Sequence, residues 1–111
     1  KAPKTQKDLR EKLLENVKSA LRVTTDDIGI NAEIKMLVES AKMDLQMSGI
    51  RVKNTAQDGA AIYDDIIALA ITLYCKAKFG FDNPESERLY QSYRTLETHL
   101  SLSTEYKEVI Q

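Results

Sequence analysis

His99 and Cys75 are the only histidine and the only cysteine in the chain, and these residue types are the ones best suited to proton transfer, nucleophilic attack or metal binding. Neither has a companion. A His-based metal site and a second imidazole are out of reach, and one thiol makes no internal disulfide. His99 falls between Leu96 and Leu100 on a helical stripe, the placement of a partly exposed histidine with no catalytic part. Cys75 stands beside Tyr74 and Lys76 in the most apolar stretch, where burial raises a thiol's pKa and makes it a core residue rather than a nucleophile.

Asp26 with Asp27, and Asp64 with Asp65, have the composition of a cation site or an acid/base couple. Each pair precedes a helical pattern, so capping accounts for them more simply. Tyr90 and Tyr93 offer ring faces for base stacking, but Tyr93 lies on an inward stripe and no basic groove accompanies them. No glycine-rich phosphate loop, dinucleotide fingerprint or calcium-loop spacing occurs. The chain therefore reads as a non-enzyme with neither cofactor nor metal.

A chain of 111 residues has room for one hydrophobic core and not two. With 42% apolar and 30% charged residues, four Gly and two Pro, collagen-like and wholly disordered classes are excluded. Sixteen Lys and Arg against seventeen Asp and Glu leave a formal charge of −1, which argues against a dedicated nucleic-acid binder. That total hides a gradient. Residues 1–22 carry seven basic and three acidic groups, and residues 81–111 carry three basic and six acidic. Such polarity either steers one subunit's end toward another's or marks two solvated faces. A lone cysteine fits a reducing, intracellular setting. The longest strongly apolar stretch, residues 66–75, is about half the roughly 20 residues of a membrane span, so no membrane partner is expected. The chain starts at Lys1 rather than a methionine, and a trimmed or longer natural start is expected.

Leu9, Leu13, Leu14, Val17 and Leu21 recur at steps of three and four, predicting a helix over residues 7–21. After a polar break at residues 24–29, a second helix carries Ile30, Ile34, Leu37, Val38, Ala41 and Leu45 on one face, with Gly49 placed to end it in a left-handed conformation. Residues 50–59 read as the main internal loop, in which Val52 alone has core character. The third helix, from Ile66 to its stop at Gly80, is apolar around most of its circumference and belongs at the centre. Asn83 and Pro84 predict the start of a fourth, with proline at the first helical position and Leu89, Tyr93, Leu96 and Leu100 facing inward. Residues 103–111 form a tail that is either frayed or docked. No stretch alternates with period two, so the fold class expected is all-α: four main helices around a buried third, in one domain spanning 1–111 with a flexible segment at about 1–7.

The run Leu73-Tyr74-Cys75-Lys76-Ala77-Lys78-Phe79-Gly80-Phe81-Asp82-Asn83-Pro84-Glu85-Ser86-Glu87-Arg88, continuing through Ser92-Tyr93, Leu96 and residues 99–103, resembles the head-tail connector (adaptor) proteins of tailed bacteriophages, often described as phage DNA-packaging proteins. Residues 14–27 and 41–49 look like the same family's first two helices. The specific part is the Lys-x-x-Phe-Gly-x-x-Asn-Pro junction at Lys76 to Pro84; residues 1–7 and 54–63 have no clear counterpart. The resemblance implies a small helical bundle assembling as a homo-oligomeric ring below the portal protein. There it would extend the DNA channel, without sequence-specific binding, and receive a stopper or tail-completion protein. It implies a place in the virion at the head-tail interface, after synthesis in the bacterial cytoplasm.

A ring needs two different faces per subunit that meet head to tail. The candidate interaction residues are Arg51, Lys53 and Asn54 in the internal loop and Tyr106, Val109 and Ile110 in the tail, contacting the portal, a neighbouring subunit or the next ring. Two other readings stay open at this point: a host-type helical adaptor that binds one partner without forming rings, and a DNA binder acting through the basic first helix.

Overall fold

The leucine and valine steps of the N-terminal region fold as α1 (Gln6–Ala20), and the second apolar stripe as α2 (Ile28–Met47). The computed structural model describes residues 6–25, 27–52, 54–57, 60–63, 65–80 and 83–107. Asp27 caps α2 as its sequence position implies, its Oδ1 accepting the Ile30 N–H at 3.0 Å; Asp26 lies outside the described residues. Both helices end in the same six-residue closure. Val23 N–H donates to Lys18 O and Ile50 N–H to Leu45 O, while Arg22 N–H donates to Ser19 O and Gly49 N–H to Gln46 O. That closure needs a left-handed residue, which is Gly49 at φ 83° in α2 but Arg22 at φ 61° in α1.

The two remaining helices are α3 (Asp65–Lys78) and α4 (Ser86–Leu102). α3 packs most extensively on α4 and α2 and also touches α1. One apolar cluster joins Leu13 and Val17 of α1 and Ile34, Val38, Ala41 and Leu45 of α2. It continues through Ile67, Ala70, Ile71 and Cys75 of α3 to Tyr93 and Leu100 of α4. The all-α bundle of four helices expected from the sequence is the architecture.

Four local expectations change. Residues 54–63 are not plain loop: β1 (Asn54–Gln57) pairs antiparallel with β2 (Ala60–Tyr63), Asn54 opposite Tyr63 and Gln57 opposite Ala60. This small hairpin lies beside α1 without altering the helical class. Ile50, read as loop, is fully buried, whereas Val52 only packs against the core from its edge. α4 begins at Ser86 rather than Pro84, because residues 83–86 first make a turn closed by the Asn83 side chain. Finally, α3 is central but not covered on every side: Ile66 and Leu69 are 38% and 48% exposed.

Candidate interaction surfaces

Arg51 and Tyr106, chosen from separate parts of the sequence, meet in the structure. Arg51 N–H donates to Tyr106 O at 2.8 Å, and Arg51 Nη2 donates to Glu105 O at 2.5 Å. Beside them Ile50 and Lys107 form an isolated antiparallel bridge. Tyr106 packs against the edge of the core. The tail is therefore docked through residue 107, on this chain's own segment after α2, with backbone groups as the main partners. Asn54 takes the first position of β1, opposite Tyr63. Lys53, Val109 and Ile110 lie outside the described residues.

The Lys-x-x-Phe-Gly-x-x-Asn-Pro junction is a corner between two helices. Gly80 adopts φ 81°, which turns the chain off the end of α3. Asn83 then serves both helices. Its Nδ2 donates to Lys76 O at 2.9 Å, satisfying a carbonyl in the last turn of α3, while its Oδ1 accepts the Glu85 N–H at 3.0 Å. Ser86 Oγ adds a bond to Ala77 O at 2.6 Å. Asparagine supplies donor and acceptor at once, and Pro84 pre-sets the turn. The residues that carried the resemblance are thus explained by geometry: they fix the angle between α3 and α4.

A polar network that the sequence pattern did not single out lies between α2 and α4. Tyr93 OH donates to Asp44 Oδ2 at 2.5 Å and stands 3.5 Å from Glu97 Oε2, and Ser48 Oγ donates to that same Glu97 oxygen at 2.7 Å. Arg94 Nε is 3.4 Å from Glu97 Oε1. Glu97 is only 5% exposed. Burial above all, then the neighbouring Asp44, raises its carboxyl above the usual range, while Ser48 and Arg94 pull the other way. Burial and the bond to Asp44 likewise push the Tyr93 hydroxyl up. Tyr93 also carries an edge-on contact with Tyr74 and a stacked one with Tyr90, and Lys78 Nζ sits 4.7 Å from the Tyr90 ring centroid. Asp44 and Glu97 were legible only as charged positions beside apolar stripes; a carboxylate four residues after an inward tyrosine was the available signal.

Two helices carry apolar side chains on the side turned away from the core. On α2, Met36, Met43 and Met47 are 70%, 61% and 81% exposed, and they share one face with Ile28 and Ala32 at helical spacing. This face lies opposite the buried Ile34, Val38, Ala41 and Leu45. On α3, Ile66, Leu69 and the half-buried Leu73 recur at steps of three and four and lead to Lys76.

Compared with known protein families, residues 13–107 match the phage connector protein family. The chain belongs to that family. Neither the curated proteins nor the solved structures compared with it include a match.

Membership gives the connector a general structural role in a phage particle. The match takes in all four helices, apart from the first turns of α1, together with the Asn83 corner and the Arg51 to Tyr106 clasp. Cys75 and His99 fall in different places, one in the core and one on the surface. Cys75 is fully buried, and burial pushes its thiol up to about 12, far from a nucleophile's range. His99 is exposed on the last turn of α4, with no part in the polar network. Among the described residues no cluster of His, Cys, Asp and Glu could hold a metal ion, and no helix is long and apolar enough to cross a membrane.

Proposed function

We propose that this connector assembles into a ring of identical copies below the portal at the head-tail interface of the virion. There it extends the DNA channel and offers a platform to a stopper or tail-completion protein. The observation that carries this reading is α3. A helix apolar on nearly all sides belongs where every side is covered, yet Ile66 and Leu69 remain open in the single chain. Together with the methionine face of α2, each subunit has two different surfaces to offer, as head-to-tail closure requires. A formal charge of −1 suits a channel that lets DNA slide, since a basic groove would grip phosphates through counterion release.

Sedimentation velocity over a concentration series, alone and with the cognate portal, tests the reading. Discrete ring-sized oligomers in at least one of these conditions are expected, with no measurable affinity for duplex DNA at physiological salt. A chain that stays monomeric at high concentration and beside its portal overturns it.

A further inference from the structure

We infer that the subunits meet through the two open helix faces, the methionine face of α2 on one copy against the Ile66, Leu69 and Leu73 face of α3 on the next. This assignment rests on the ring reading and names the contact that would build it. Three features of the structure favour a second copy as the occupant.

The first is length. Met36 to Met47 covers about 16 Å along α2, and Ile66 to Lys76 covers about 15 Å along α3, so the two stripes run in register as a helix pair. The second is charge. Glu33 is exposed beside the α2 face, whereas the α3 face ends in Lys76; Glu39 is already paired with Lys42 of its own helix. An antiparallel crossing brings Lys76 toward Glu33. The third is side-chain type. Methionines are unbranched and polarizable and fill irregular gaps, so three on one solvent-facing stripe suit a surface that receives branched knobs such as Ile66 and Leu69. Because the two faces are unlike, one contact leaves a free face at each end of the pair. The association therefore propagates from copy to copy, and it closes into a ring when the rotation between neighbours divides a full turn.

Single cysteines on the full-length chain test this, with the buried native Cys75 serving as a silent thiol. Met43→Cys and Leu69→Cys proteins, mixed and treated with a short bismaleimide, are expected to give a Met43→Cys to Leu69→Cys dimer. Neither protein alone should cross-link. The double variant should give a ladder of multimers. Met43→Glu and Leu69→Glu, each with unchanged helical circular dichroism, are each expected to abolish oligomers in sedimentation. Cross-linking of Met43→Cys with itself overturns the assignment in favour of a two-fold contact. Oligomers that form without the mixed cross-link, and survive both glutamate variants, overturn the assignment while leaving the ring reading intact. Monomers under every condition, portal included, overturn both.

Discussion

Replacing Tyr93 by phenylalanine removes one hydroxyl and little else. The ring keeps its neighbours, with the centroids of Tyr74 and Tyr90 at 5.2 and 5.9 Å, so no cavity opens. What disappears is the O–H that donates to Asp44 Oδ2 at 2.5 Å beside Glu97. Hydrogen bonds to charged groups contribute about 1.5–3 kcal/mol. Asp44 is half-buried, so water takes over part of its share, and Glu97 keeps Ser48 at 2.7 Å. Against this, two neighbouring carboxyl groups lose the donor between them. A loss of about 2 kcal/mol at pH 7 is expected, inside that range. For a domain near 100 residues, each kcal/mol moves the thermal midpoint by about 4–8 °C, so the midpoint falls by about 8–16 °C. Calorimetry on Tyr93→Phe, Asp44→Asn and the double variant completes a cycle in which the pair should couple by at least about 1 kcal/mol. A Tyr93→Phe midpoint within about 2 °C of the parent, or additive single effects, refutes the role given to the hydroxyl.

Glu97→Gln should act in the opposite sense at neutral pH. Burial raises the Glu97 carboxyl in the folded chain, so its contribution is full below the ordinary glutamate pKa of about 4.3 and is lost as pH rises through the higher folded value. Urea titrations between pH 4 and 8 should show the parent losing stability across that window and the variant flattened, with the variant about 1 kcal/mol more stable at pH 7; an unchanged slope removes Glu97 as its source. Arg22→Gly should stabilise by about 0.5–1 kcal/mol, since a left-handed non-glycine residue costs about 1–2 kcal/mol and glycine's added freedom in the unfolded chain returns part of the gain. A lower urea midpoint for that variant counts against strain at φ 61°. Cys75 should resist a disulfide-exchange reagent in the native protein and react promptly in urea, as expected of a buried thiol pushed up to about 12; rapid native labelling contradicts its burial.

The helices were legible because their core positions repeat with the helical period. Ile34, Val38, Ala41 and Leu45 are spaced as a single buried stripe and fold as one. Gly49 and Gly80 marked the two stops, and both have the positive φ that their positions imply. The hairpin escaped because strands of four residues are too short for alternation to register, although the Asp58-Gly59 pair between them is a tight-turn sequence. Ile50 escaped because the cluster that buries it draws on all four helices, which no local window contains. The clasp was half legible: Arg51 and Tyr106 stood out separately, and only the fold brings them together. Glu97 reads as solvent-facing by residue type, and its burial follows from partners on two helices. The open apolar faces were hidden for a related reason. Periodicity tells that a side is apolar, whereas the fold decides whether anything covers it.

The clasp also sets an order in time. A chain leaves the ribosome from its N-terminus, so α1, α2 and the hairpin emerge well before Glu105 and Lys107. Until those last residues arrive, Ile50 lacks its bridge and Arg51 its two carbonyl partners. Closing so long a loop late is entropically tolerable, because the cost grows only with the logarithm of its length. The segment after α2 is therefore completed by residues that follow α4. Cleavage near residue 103 would be felt first at the far end of α2.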